Sequence, residues 1–149
     1  MSGDGKSKSD LAVECFKSGF NCSQSVFTAF SGDMGMDSCT ALKVATAFGG
    51  GIASTGNVCG AVSGGLMAIG LRHGRCTIDD LKAKEKTYEI SRRFMDEFKA
   101  RHGSVVCKEV LGCDLNTPEG KAEFASRNLI NVKCTACVRD AVQILENIL

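Results

Sequence analysis

A glycine-rich stretch from Gly49 to Gly65 constrains the fold more than any other part of the chain. Seven of its seventeen residues are glycine, and Cys59 lies near its middle. Glycine lets two backbones approach closely and adopts positive φ without strain, but it is costly inside a helix. This concentration of glycine around one thiol indicates that the backbone shapes a site at Cys59.

The spacing of apolar residues predicts an all-α fold. Helical periodicity recurs throughout, whereas the chain has one proline and no run of β-branched residues with period two. A chain of 149 residues can bury a substantial core. We therefore expect a disordered tail at residues 1–8 and one cysteine-rich domain at residues 9–149, a bundle of seven to eight helices with a Gly-rich central helix.

Capping residues and glycine stops set the predicted helix boundaries. The predicted helices are 9–17, 22–30, 39–48, 58–73, 78–101, 104–111, 118–128 and 135–149. Their predicted N-terminal caps include Ser9 or Asp10, Asn21, Asn57, Thr77 and Ser104. The two Arg-His-Gly segments, at 72–74 and 101–103, read as helix C-termini with cations near the negative end of the dipole.

The helix that follows the glycine loop carries an unusual ridge. Gly56, Gly60, Gly64 and Ala68 fall four residues apart, so one face has almost no side chains. Such a face admits a neighbouring backbone, either of another helix or of a second copy of the chain. A second hypothesis is therefore a helical module without enzymatic activity that mediates interaction or dimerisation. In particular, the sequence predicts a homodimer.

The nine cysteines provide the chemistry. Cys15, Cys39 and Cys76 read as small buried apolar residues. The remaining cysteines of interest fall at predicted helix starts, and they are Cys22, Cys59, Cys107, Cys134 and Cys137. Free N–H groups and the positive end of a helix favour the thiolate, so we expect the pKa of these thiols to lie below the ordinary value.

Several kinds of site remain open for these thiols. Converging thiolates can hold an iron–sulfur cluster or another soft metal, or can cycle between dithiol and disulfide. A structural zinc site would join Cys107 and Cys113 to the CxxC pair Cys134 and Cys137, although the spacing is irregular for zinc. A self-contained thioredoxin-like CxxC would need a βαβ context that the sequence lacks.

Other functions are disfavoured. Gly51–Gly56 has the spacing of a phosphate loop, but Asn57 stands where that loop requires lysine, and no strand precedes it. The net charge of +1 gives no basis for nucleic-acid binding. The longest apolar run is too short to cross a bilayer, and residues 1–10 lack the apolar region of a secretory signal. We therefore expect a cytoplasmic protein.

The chain resembles a family of redox-active proteins named for a C…GCAxxG…C…C pattern. The matching segments are GFNCSQSVFTAF around Cys22, FGGG, CGAVSG at Cys59, GLMAIGL, CKEVLG around Cys107 and the C-terminal CTACVRDAVQILENIL. The resemblance implies an all-helical domain with a redox or metal-cluster role. The family's four cysteines correspond to Cys22, Cys59, Cys107 and Cys134, and Cys137 is an alternative for the fourth.

The leading hypothesis from the sequence is a cytoplasmic redox protein, a thiol-dependent or metal-dependent oxidoreductase. Cys22, Cys59, Cys107 and Cys134 are its candidate catalytic residues and its candidate metal ligands. Gly60, Gly64 and Cys137 are candidate cofactor-binding residues. The cofactor would be an iron–sulfur cluster or zinc, and the electrons would pass to a redox partner that the sequence does not identify.

Overall fold

Helices form most of the chain in the computed structural model, which describes residues 5–149. The α-helices are α1 (Lys8–Lys17), α2 (Cys22–Ser31), α3 (Ser38–Ala45), α4 (Gly60–His73), α5 (Leu81–His102), α6 (Cys107–Leu111), α7 (Pro118–Ser126) and α8 (Thr135–Ile148). Two 3₁₀ turns, Gly32–Met34 and Thr46–Phe48, follow α2 and α3, and a π-helical turn, Ile130–Cys134, leads into α8. Within the described residues the only β-type pairing is an isolated antiparallel bridge between Val58 and Val106. The predicted all-α fold is confirmed.

The N-terminal boundary differs from the prediction. Residues 1–4 of the predicted tail lie outside the described residues. The Ser7 hydroxyl caps α1 by accepting a hydrogen bond from the Asp10 N–H, and Lys8 is already helical. Neither Ser9 nor Asp10 is therefore the cap.

The core lies where α2, α4 and α8 meet. Helix α4 packs mainly against α2, α1 packs against α8, and α5 contacts both α4 and α8. Phe94 and Phe98 of α5 are fully buried. Helix α8 buries the positions that its periodicity predicts, which are Val138, Ala141, Val142 and Leu145.

The glycine ridge of α4 is used inside the molecule. A Cβ built on Gly64 would lie 2.5 Å from the Ser23 carbonyl oxygen, and one built on Gly60 would lie 3.0 Å from the Phe48 carbonyl oxygen. Side chains at these positions would separate α2 from α4. The ridge is therefore covered by α2 and its flanking turn within one chain, and the homodimer that the sequence suggested stays a prediction.

Several helices start later than predicted because the predicted caps have other roles. Helix α4 begins at Gly60 rather than Val58, and Asn57 donates its side-chain amide to Thr55 instead of capping the helix. Helix α5 begins at Leu81 behind an Asp80 cap rather than after Thr77. The Ser104 hydroxyl accepts from the Val106 N–H, so α6 begins only at Cys107.

The predicted start of the C-terminal helix is too late rather than too early, because helical backbone begins before Thr135. The π-helical turn Ile130–Cys134 runs directly into α8, and the Thr135 N–H donates to the Ile130 carbonyl. Cys134 therefore lies inside a continuous helical segment and not at a free helix N-terminus. None of the helices between residues 5 and 149 has the length and apolar character that a bilayer crossing requires.

Candidate functional site

Five thiols line one cavity of about 300 Å³ at the junction of α2, α4, α6 and α8. These are the thiols that the sequence placed at helix starts, namely Cys22, Cys59, Cys107, Cys134 and Cys137. The rest of the wall is formed largely by glycine and by the apolar side chains of Phe16, Phe20, Leu111, Leu115, Phe124 and Ile130. The predicted convergence of these cysteines is present in the structure.

A short backbone pairing brings Cys59 and Cys107 together. The Cys59 N–H donates to the Val105 carbonyl at 2.8 Å, and the Cys107 N–H donates to the Asn57 carbonyl at 2.6 Å. Both thiols are 6% exposed. The two cysteines are distant in sequence, and this pairing places them on the same side of the cavity.

A left-handed turn precedes this pairing. Gly50, Gly51, Ile52, Ala53 and Ser54 have φ between 51° and 72°. The Asn57 N–H then donates to the Gly51 carbonyl at 2.8 Å. A Cβ on Gly51 would lie 2.6 Å from the Cys107 Cβ, so the turn packs directly behind that thiol.

Cys22 is held by the start of α2. The Asn21 side chain accepts from the Gln24 N–H while the Gln24 side chain accepts from the Asn21 N–H, a reciprocal capping box. Asn21 also donates to the Thr46 carbonyl at 2.9 Å, which ties this helix end to the turn after α3. The predicted Asn21 cap is confirmed.

The π-helical turn and α8 supply the last two thiols. Cys134 and Cys137 are three residues apart in one helical segment, so both face the cavity. Cys134 is partly exposed, whereas Cys137 is 1% exposed. Because helical backbone precedes Cys134, neither Cys134 nor Cys137 lies at the positive end of a helix, contrary to the prediction.

Cys59 and Cys137 form an unequal pair. A hydrogen bond from the Cys137 thiol lowers the pKa of Cys59, and the N–H groups of Ala61 and Val62 at the start of α4 lower it further. These N–H groups make no regular capping bond to the Cys59 side chain. The same hydrogen bond raises the pKa of Cys137, and burial raises it further. Within this pair the thiolate is therefore favoured on Cys59 and the proton on Cys137.

The other thiols of the cavity that have a shifted pKa remain protonated. A hydrogen bond with Cys134 and burial raise the pKa of Cys22 well above its ordinary value. Burial, with repulsion from Cys59, raises the pKa of Cys107 to about 12. The prediction of a lowered pKa is thus wrong for Cys22, Cys107 and Cys137, because a neighbouring thiol and burial raise the pKa of Cys22 and Cys137, and burial raises that of Cys107.

A histidine that the sequence analysis did not select contacts this pair. His102 Nδ1 lies 3.8 Å from the Cys137 Sγ, and His102 Nε2 lies 2.8 Å from an Asp140 carboxylate oxygen. His102 ends α5, as predicted, with Gly103 in the left-handed conformation beyond it. The available signal was the Cys137–Asp140 spacing, which puts a thiol and a carboxylate one turn apart on the same helix face.

The remaining candidates are dispersed. Gly60 lines the cavity, whereas Gly64 faces Ser23 of α2 and is not part of the cavity wall. Cys113 does not line the cavity, and it is buried in a small apolar cluster with Cys107, Leu111 and Leu129. The expected burial is wrong for two of three cysteines: Cys39 and Cys76 are exposed, and Cys15 is only partly buried.

The arrangement of the thiols determines whether they could coordinate a metal ion. Among residues 5–149, no group of three or more His, Cys, Asp or Glu side chains is arranged to hold a metal ion. The thiols interact in pairs, because Cys59 and Cys137 shift each other's pKa and Cys134 raises that of Cys22. The iron–sulfur or zinc cofactor stays a prediction, and no chemical step is derived through one.

Comparison with known proteins supports a redox role at the level of the family. A family model described as "Putative redox-active protein (C_GCAxxG_C_C)" matches residues 20–148, which include all five cavity thiols. No curated protein and no solved structure matches the chain.

Proposed function

Because the chain belongs to the C_GCAxxG_C_C family of redox-active proteins, we propose that it carries out thiol–disulfide exchange with Cys59 as the attacking thiolate and Cys137 as the second thiol. The observation that supports this assignment is that both thiols line one cavity, where Cys137 lowers the pKa of Cys59 and Cys59 raises that of Cys137. A thiolate beside a protonated thiol is the starting state that disulfide exchange requires.

The proposed reaction has two steps. The Cys59 thiolate attacks one sulfur of a disulfide R–S–S–R, forms a mixed disulfide and releases one R–S⁻. Cys137 then loses its proton and attacks the Cys59 sulfur, which closes a Cys59–Cys137 disulfide and releases the second R–S⁻. The protein loses two electrons and one proton, and the substrate leaves as one thiol and one thiolate.

The cavity supports a neutral and mainly apolar substrate. Its lining contains no Asp, Glu, Lys, Arg or His side chain, and its polar side chains apart from the thiols are Asn21 and Ser54. An anionic disulfide would lose its hydration there and would face the Cys59 thiolate without gaining an opposite charge. A volume of about 300 Å³ suits a small molecule rather than a protein loop.

The test is to map the disulfide that forms. The reduced protein is treated with one equivalent of a small neutral disulfide, and its linkages are identified by digestion and mass spectrometry. Cys39 and Cys76 are exposed and remote from the cavity, so a variant with both changed to serine removes unspecific oxidation. We expect a Cys59–Cys137 bond as the first product. Random linkages, or oxidation that leaves Cys59 free, would overturn the proposal.

An iron–sulfur or zinc centre is the competing proposal, favoured by the five soft donors around one cavity. It predicts stoichiometric metal and, for a cluster, visible absorption after anaerobic purification. It also predicts that the cavity thiols resist alkylation until the metal is removed. A metal-free, colourless protein with a reactive Cys59 would instead support disulfide exchange.

A cytoplasmic location follows as part of the same proposal. A reducing compartment would return the cavity thiols to the dithiol state after each turnover. Cell fractionation tests this location.

A further inference from the structure

His102 connects the second thiol of the site to a carboxylate. Its Nδ1 lies 3.8 Å from the Cys137 Sγ, and its Nε2 lies 2.8 Å from an Asp140 carboxylate oxygen. His102 does not line the cavity. It therefore contacts Cys137 from the protein side, where it does not interfere with a substrate.

The ring is held firmly in this position. The His102 side chain is 5% exposed, and its ring lies beside that of Phe98 with 4.7 Å between the centroids. Asp140 is fixed in turn by Arg101, whose guanidinium lies 3.5 Å from the other carboxylate oxygen. Two helices, α5 and α8, thus supply a preorganised set of Cys137, His102 and Asp140.

The hydrogen bonds define the tautomer of the ring. An ionised carboxylate only accepts hydrogen bonds, so Nε2 carries the proton that Asp140 accepts. Nδ1 then presents a lone pair to the Cys137 Sγ, and it can accept the thiol proton once Cys59 is part of the mixed disulfide and no longer interacts with that proton as a thiolate. Burial lowers the pKa of His102, which keeps the ring neutral and able to accept a proton.

We propose that His102 Nδ1 accepts the proton of Cys137 when that thiol closes the Cys59–Cys137 disulfide, and that Asp140 positions the ring and stabilises its protonated form. The inference rests on the proposed disulfide exchange and concerns its second step. The Sγ–H bond of Cys137 breaks as the proton moves to Nδ1, and the resulting thiolate forms the S–S bond as R–S⁻ leaves. His102 then returns the proton to the leaving thiolate or to water.

The charged groups around His102 allow this cycle. Asp140 of α8 favours the protonated ring, whereas Lys133 of the π-helical turn and Arg101 of α5 oppose it. The lasting gain of a proton is therefore disfavoured, and a transient one is stabilised locally by the carboxylate. This is the behaviour required of a general base that must be regenerated.

Dithiodipyridine separates the two steps. This neutral aromatic disulfide releases one coloured thiopyridone when Cys59 attacks and a second when Cys137 closes the protein disulfide. Stopped-flow absorbance therefore shows two phases in the protein that lacks the exposed Cys39 and Cys76. We expect His102→Gln to slow the second phase by about 100-fold, in the range of general-base contributions, and to change the first phase little.

The pH profile and matched variants separate a chemical role from a structural one. In His102→Gln the second phase should become steeply dependent on hydroxide, because Cys137 must ionise unaided. Asp140→Asn, which keeps the shape of the side chain, should slow the same phase by a smaller factor. His73→Gln is the control, since His73 also ends a helix in an Arg-His-Gly segment, but its Nε2 has no hydrogen-bond partner among the described residues.

The outcomes distinguish this inference from the proposed function. If the wild-type protein releases no second thiopyridone, disulfide exchange by Cys59 and Cys137 is wrong, and this inference is overturned with it. If the wild type completes both phases and both His102→Gln and Asp140→Asn match its rates and pH profile, only the role of His102 and Asp140 is overturned. A slowed second phase in a variant whose circular dichroism matches the wild type supports the inference.

Discussion

The close contact between α2 and α4 predicts opposite effects for two identical substitutions in one helix. A Cβ at Gly64 would lie 2.5 Å from the Ser23 carbonyl oxygen and 3.1 Å from the Ser23 Cα. A Cβ at Gly70 would meet no atom within 4 Å. Both glycines lie in α4, so Gly64→Ala and Gly70→Ala differ mainly in what the added methyl group contacts.

The expected magnitudes follow from two terms. Replacing glycine by alanine in a helix gains about 1 kcal/mol in helix propensity, so Gly70→Ala should stabilise the fold by about that amount. At Gly64 the same gain is opposed by overpacking, which typically costs about 1–3 kcal/mol. The cost should be at the upper end because a backbone carbonyl cannot rotate away. Gly64→Ala should therefore destabilise the protein by about 1–2 kcal/mol.

Urea and thermal unfolding of the two variants measure this difference. For a chain of this size each kcal/mol moves the midpoint by about 2–4 °C, so the two midpoints should differ by roughly 4–12 °C. If Gly64→Ala proved as stable as Gly70→Ala, the close packing of Ser23 against α4 would be wrong.

The same pair of variants tests what the glycine ridge does. Because the ridge contacts α2 of the same chain, both variants should elute from a size-exclusion column as the wild type does. A change of elution volume confined to Gly64→Ala would mean that the ridge joins two copies. The homodimer itself stays a prediction, and it would need another surface.

Three further predictions concern the site and its loop. Cys137→Ala should raise the pKa of Cys59, because the interaction with Cys137 that lowers it is lost. The pH midpoint of Cys59 alkylation should then move upward. An unchanged midpoint would contradict the pairing of Cys59 with Cys137. Phe124→Asp, which places a charge in the cavity wall, should slow the reaction of neutral dithiodipyridine with Cys59 by about tenfold, or about 1.4 kcal/mol. The dianionic dithiobis(nitrobenzoate) should react slowly with both proteins. If the wild type reacted faster with the dianion than with dithiodipyridine, a neutral substrate would be refuted. Ala53→Gly should stabilise the fold by about 1 kcal/mol in urea unfolding, because Ala53 has a φ of 51°. The control Ala47→Gly, in the preceding 3₁₀ turn, should destabilise the fold by about 0.5–1 kcal/mol. Equal losses of stability in both variants would argue against the left-handed turn.

The features that the sequence predicts well are local. Apolar periodicity identifies the buried face of α8, and Asn21 and Pro118 mark the starts of α2 and α7 because caps act within one turn. The gathering of the five thiols was expected from local cap signals, but among these only Asn21, before Cys22, acts as the predicted helix cap. The thiol at Cys134 was placed in the cavity for the wrong reason, since the π-helical turn before it carries no recognisable local pattern.

The features that the sequence does not predict depend on contacts between distant residues. The pairing of Asn57 with Cys107 joins two segments about fifty residues apart and changes the start of both α4 and α6. The contact of His102 with Cys137 likewise needs the packing of α5 on α8. Solvent exclusion at the cavity is also a property of the whole fold, and it reverses the expected direction of the pKa at Cys107.

The departure of Asn57 from its expected role accounts for the reactivity assigned to Cys59. Had Asn57 capped α4, its side chain would have satisfied the first free N–H groups of the helix. Instead the left-handed turn uses three non-glycine residues, Ile52–Ser54, at a cost of about 1–2 kcal/mol each. This turn places the Asn57 carbonyl where it accepts a hydrogen bond from the Cys107 N–H. Cys59 then occupies the N-cap position of α4. The N–H groups of the first turn then face a thiol, which they stabilise as thiolate. The strain in the glycine-rich loop and the backbone contribution to the lowered pKa of Cys59, which adds to the larger effect of Cys137, are thus two consequences of one backbone arrangement.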